Sequence, residues 1–326
     1  LIGGLGCLIA ALVPVGPDLL AGIGSTAVIT AYVAALADRT GGRPMVFGAV
    51  ALVLGIAVLL IDEPALRTGA AVMTCVVAAV LAVMVTVPAE RFVMVARECA
   101  FAVLVSFAGA LAVVGFDPVI SLTRFEYVTL VLSLFGVLAL VYRLGAGWHG
   151  LGRRGFLAVL IGGVILTVLV LYAELLRQYG PPGLVSNLLD GVRWSREHLG
   201  AFPRPIEAGL GIPALAWGVH MRARRRQGWW LCAFGAAGTA AVASSAINPA
   251  ISLLESGLSV LYGLLVGLLI AFVAITVELR LTGGPRAAKD AQESATTGGS
   301  RGARRAHRPP EREDVRPEPP RSAPLL

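Results

Sequence analysis

The fold class predicted here is all-α, a polytopic bundle of nine or ten transmembrane helices with one further helix lying on the external membrane surface. Three observations predict it. Only 14% of the 326 residues are charged and 56% are hydrophobic, with a mean hydropathy of +0.79. A water-soluble chain carries about a quarter charged residues, so too little polar surface is left to cover a globule in water. Apolar windows then recur along residues 1–280 at lengths close to a bilayer crossing. Finally, arginines crowd into alternate connections between those windows.

A hydrocarbon core of ~30 Å needs about 20 apolar residues of helix at 1.5 Å per residue. Windows 19–37, 44–61, 68–87, 99–116, 126–142, 155–175, 207–221, 228–247 and 257–279 meet or approach that length, and 1–14 is a shorter tenth. Most boundaries carry Pro, Gly or paired charges, as at Asp38-Arg39, Asp62-Glu63-Pro64, Asp117-Pro118 and Arg153-Arg154. Helices stop there because proline lacks an amide donor and ionised groups favour the wet interface. The start at Leu1 lacks the basic region of a cleavable signal peptide.

Among short connections, one alternating set holds eleven arginines and the opposite set two, Arg67 and Arg124. Basic residues accumulate on the cytoplasmic side, which predicts a cytoplasmic C-terminus. Near-exclusive use of Arg over Lys, with abundant Ala, Gly and Val, points to a bacterial source and the cytoplasmic membrane.

Two spans carry packing signals. Residues 235–247 are almost all small, which predicts a helix at the centre of the bundle, where backbones approach closely. Gly263 and Gly267 make a GxxxG spacing in the last span. Pro213, following Gly209 and Gly211, interrupts the shortest span.

The segment 177–206 opens with Gly180-Pro181-Pro182-Gly183, after which Leu184, Val185, Leu188, Leu189, Val192 and Leu199 share one helical side. It reads as an amphipathic helix on the external surface, stopped by Gly200 and Pro203. Its polar residues Arg193, Arg196, Glu197 and His198, with Glu174 and Glu207 at adjoining helix ends, form a candidate external site. Arginines there suit a phosphate or carboxylate, and a carboxylate beside a histidine suits proton transfer. The competing reading is a polar face that is merely wet.

No Asp, Glu, Lys, Arg or His lies near the middle of a proposed span, which leaves Thr239, Ser244, Ser245 and Asn248 as candidate intramembrane polar groups. Arg222, Arg224, Arg225 and Arg226 read as a topology anchor touching anionic lipid headgroups. The four cysteines lie in apolar stretches and read as small buried hydrophobes. No phosphate-binding loop, dinucleotide fingerprint or zinc motif occurs, so no cofactor and no metal is expected. Residues 281–326 hold nine basic and six acidic side chains among many prolines, the composition of a disordered Pro/Arg-rich cytoplasmic tail.

The function these features favour is a transporter or permease-like subunit for a lipidic or neutral solute. A non-catalytic scaffold for bacterial cell-envelope assembly and an enzyme acting on a lipid-linked substrate at the outer face are the alternatives. Expected partners are membrane lipids and an envelope or transport complex, with nucleic acid a poor second.

Overall fold

The computed structural model describes residues 1–12, 19–61, 63–144, 152–224, 228–281 and 318–325. Among them the chain forms eleven α-helices and no strand: α1 (Ile2–Leu12), α2 (Leu19–Arg39), α3 (Pro44–Leu60), α4 (Pro64–Met84), α5 (Phe92–Val114), α6 (Leu122–Arg143), α7 (Gly152–Tyr179), α8 (Pro182–Leu199), α9 (Ile212–Arg222), α10 (Gly228–Ala243) and α11 (Leu253–Leu281). Proline opens α3, α4 and α8, where a missing amide costs nothing. Gly200 closes α8 at φ 77°, the left-handed conformation that glycine adopts freely.

The chain is a multi-span membrane helix bundle, but the expectation of nine or ten spans is corrected to six candidate spans among the described residues, by length and composition. Helices long and apolar enough to cross are Leu19–Arg39, Pro64–Met84, Phe92–Val114, Leu122–Arg143, Gly228–Ile247 and Leu253–Arg280. The shorter apolar helices are Ile2–Ala11, Pro44–Leu60 and, within α7, Val159–Tyr172. The window at 207–221 does not form one uniform helix. Pro213 cannot donate, and the turn before it widens into a π-helix over Glu207–Gly211, with Ile212 N–H donating to the Glu207 carbonyl. Helix α9, on the C-terminal side of this turn, has only 11 residues, and Ile212, Leu215, Ala216 and Val219 are wholly buried in protein rather than facing lipid. An apolar window records composition; a single helix of bilayer length also needs an unbroken rod.

At the centre stands α10, buried along nearly its whole length and touching α4, α5, α6, α7 and α9. Its small residues permit this. A Cβ added to Gly211 would lie 2.2 Å from the Gly238 Cα, so the two backbones meet directly. The GxxxG ridge of α11 receives side chains in the same way, Glu207 against Gly263 and Ile212 against Gly267. The outward faces of α3, α7 and α11 expose Phe47, Leu54, Leu160, Val168, Leu265 and Phe272, as lipid contact requires.

Helix ends gather at two poles. At one, where α11 finishes, Arg39 Nε donates to the Met84 carbonyl at 3.1 Å and Ala89 N–H to the Val219 carbonyl at 3.3 Å. This is the tail end. At the far end Thr68 donates to Val119 at 3.1 Å and Tyr262 to Leu199 at 2.8 Å, and α8 lies there. The tail residues 282–317 fall outside the described ones, whereas residues 318–325 are described and lie against the tail end.

Candidate functional site

The polar groups of the far end converge where the chain turns from α8 into the π-helical turn. Arg204 Nη1 donates to the Ala241 carbonyl at 3.1 Å and Nη2 to the Ser245 carbonyl at 3.0 Å, satisfying carbonyls that the end of α10 leaves free. Burial pulls the Arg204 guanidinium below its ordinary value, and the charges of Glu126 and Glu207 push it back up.

Beside Arg204 opens a cavity of about 240 Å³ between α6, α10 and residues 204–206. Glu126, Tyr127, Arg204 and Ser244 supply its polar part; Leu130, Ile206, Ala237 and Ala241 supply an apolar part. Charged and apolar side chains thus line the same space. A second cavity, about 300 Å³ between α2, α3 and α4, is almost wholly apolar, with Ile29, Val33, Leu54, Met73 and Val77 among its lining.

Glu207 lies next to this region, wholly inside protein, and neither carboxylate oxygen has a hydrogen-bond partner. The group packs on the bare backbone of Gly263, and Arg204 is the cation acting on it. A buried carboxylate without hydrogen bonds is costly when ionised.

The other candidates of the 174–207 region lie apart from one another. Arg193 pairs with Asp190 at 3.3 Å on the exposed side of α8, and Arg196 pairs with Glu255 at 3.2 Å. His198 stacks on Trp194, with Nδ1 2.9 Å from the Trp194 carbonyl. Glu197 is exposed. The side chain of Glu174 lies outside the described residues. Among the candidates whose side chains are described, Glu207 alone is buried, and they share a pole of the bundle.

Among the intramembrane candidates, Thr239 donates to the Ala79 carbonyl at 3.0 Å, tying α10 to α4. Ser244 lines the 240 Å³ cavity, and the buried Ser245 hydroxyl has no partner. Asn248 accepts from Ala250 N–H at 3.0 Å, in the turn before α11.

In the arginine cluster after α9, Arg224 is exposed and Arg225 and Arg226 lie outside the described residues. Arg222 is fully buried and paired with Glu318 at 2.5 Å. Glu126, Arg204, Arg39, Glu98 and Glu318 did not stand out in the sequence. Each lies near a helix end, in a connection or in the C-terminal segment, where a charge ordinarily faces water.

Comparison with family models, with curated proteins and with solved structures finds no match. Geometry therefore carries the functional reading.

Proposed function

We propose that this chain is a transporter or permease-like subunit for a lipidic solute, which it holds at the far-end cavity with the polar headgroup at Arg204 and the apolar part along α6 and α10. One observation carries this reading: the cavity joins a half-buried guanidinium to an apolar wall within a membrane bundle. The small-residue surface of α10 supports it, since neighbouring helices meet there without bulky side chains to interlock. We further propose that the tail end faces the cytoplasm of a bacterial cell. Among the short connections, Arg39, Arg43, Arg91, Arg97, Arg143, Arg222 and Arg224 lie at or near the tail end, against Arg67 and Arg124 at the far end, whose longer α7–α9 connection also carries Arg193, Arg196 and Arg204.

The test uses purified chain in vesicles containing a fluorescent phosphatidylglycerol and a membrane-impermeant reductant. Protein-free vesicles lose the outer-leaflet half of the signal. Transport of the lipid removes more than half in the presence of protein, and Arg204→Gln reduces that excess. A loss equal to that of protein-free vesicles overturns the reading.

A scaffold role is the second reading, and the α7 surface favours it. α7 packs on α10 and the π-helical turn and leaves Phe156, Leu160, Ile161, Val164 and Val168 exposed. Another membrane subunit fits that face as well as lipid does. Co-purification of an envelope complex that Leu160→Trp disperses, with no lipid movement in vesicles, selects it.

A further inference from the structure

Three elements, α2, α5 and α9, bring charged side chains into a cleft at the tail end. The side chain of Arg222, from α9, is 0% exposed. Its Nη1 donates to Thr86 Oγ1 at 2.8 Å and its Nη2 to the Thr86 carbonyl at 3.0 Å, and Trp229 covers its guanidinium face at 3.5 Å. These contacts fix the guanidinium plane and leave the Nε–Nη2 edge for an anion. Arg39, from the end of α2, is buried close by and donates to Met84. Glu98 of α5, 1% exposed in its side chain, accepts from Val87 N–H at 3.0 Å and from Arg97 at 3.0 Å. The Nε–Nη2 edge of Arg222 calls for a carboxylate, and Glu98, with Arg97 on Oε1, has Oε2 for a second cation.

Residues 318–325 meet that need point by point. Glu318 grips the free edge of Arg222 with both oxygens, Oε1 to Nε at 3.2 Å and Oε2 to Nη2 at 2.5 Å, the paired geometry in which arginine recognises a carboxylate. Arg321 reaches Glu98 Oε2 at 2.5 Å and lies 4.0 Å over the Phe101 ring. Arg39 Nη1 donates to the carbonyls of Pro320 at 2.9 Å and Ala323 at 2.5 Å, and its own carbonyl accepts from Leu325 N–H at 2.8 Å. Leu325 packs on the apolar core beneath.

We propose that this cleft is a peptide-binding site that recognises a carboxylate, an arginine three residues later and an apolar residue four beyond that, and that the chain's own C-terminal segment is its resident ligand. The recognition elements belong to the bundle and are held by Thr86, Trp229, Met84 and Val87, so the site does not depend on the segment for its shape. Glu318 and Arg321 keep 15% and 31% of their side-chain surface open to water, so the segment lies at the mouth of the cleft, within reach of a competitor. While bound it bridges α2, α5 and α9. A competing peptide of the same chemistry, or loss of the Glu318 charge, releases that bridge. This inference is independent of the solute reading.

The test titrates a fluorescent peptide of residues 317–326 against the full-length chain in lipid nanodiscs. It is repeated with a full-length E318Q/R321A variant, whose bundle is unaltered. The variant binds the peptide saturably and at least about tenfold more tightly than the unaltered chain, where the tethered segment competes. The same peptide carrying Glu318→Gln loses at least about tenfold against the variant, the scale of a charge-assisted pair. Equal affinity of the two chains, equal affinity of the two peptides, or no binding to the variant overturns the proposal. Hydrogen exchange gives an independent reading of the same step. The Leu325 amide is protected in the unaltered chain and exchanges at least about tenfold faster in the variant, while α4 and α5 are unchanged. Equal exchange at Leu325 counts against the site, and faster exchange throughout α4 and α5 shows that the segment is a structural part of the bundle rather than a ligand.

Discussion

Gly211 and Gly238 bring the π-helical turn and α10 together backbone to backbone: a Cβ on Gly211 would sit 2.2 Å from the Gly238 Cα, and one on Gly238 would sit 2.8 Å from the Gly211 Cα. No side-chain rotation relieves such a clash, so the helices must separate to admit even a methyl group. Gly238→Ala therefore destabilises the bundle by about 2 kcal/mol or more, the range of overpacked cores. Gly163, on α7, has nothing within 4 Å of an added Cβ, and Gly163→Ala is neutral or stabilising by a few tenths of a kcal/mol to about 1 kcal/mol. Thermal unfolding of both variants in one detergent checks the contrast, and equal midpoints contradict the direct contact.

Arg204 and Glu207 respond oppositely to neutralisation. Arg204→Gln leaves the Ala241 and Ser245 carbonyls without their donor and removes the cation near Glu207, at a cost of about 2 kcal/mol. Glu207→Gln replaces a buried carboxyl, which burial pushes toward its neutral form and which has no hydrogen bond to lose, so stability does not fall. Unfolding midpoints compared at one pH decide it; a drop of more than about 1 kcal/mol for Glu207→Gln would mean that its carboxylate has a partner.

The α8 turn depends on a serine more than on its charges. Ser195 is buried and donates to the Ala201 carbonyl at 2.7 Å, closing the turn after Gly200. Ser195→Ala costs about 1 kcal/mol and speeds proteolysis across 196–206. Arg196→Ala, which breaks a half-exposed pair with Glu255, costs less than about 0.5 kcal/mol. The reverse order would place the weight on the ion pair.

Single cysteines at Asn187 and Ser300, in a chain lacking Cys7, Cys75, Cys99 and Cys232, test orientation with an impermeant thiol reagent. Intact cells label at 187, which is exposed on α8, and at 300 only after permeabilisation. The opposite pattern inverts the assignment of the two poles.

Much of the helical framework is legible in the sequence because its causes are local. Pro44, Pro64 and Pro182 start helices, Gly200 ends one, and the small residues of 235–247 predict a central α10 that is indeed buried. The number of spans is less legible. Hydropathy over 207–221 averages across a break, and the consequence of Pro213 is a π-helical turn buried in the bundle rather than a rod in lipid.

By itself, the sequence determined that lipid is the solvent, where the chain turns helical and where charge gathers, since each follows from composition or from neighbours within a few residues. Only the tertiary structure decided which charges are surface and which are site. Arg321 and Glu98 are 223 positions apart, and Arg222 and Glu318 are 96 apart. An arginine at a helix end reads the same whether it meets water or a carboxylate; the difference arises from distant elements converging on one pole.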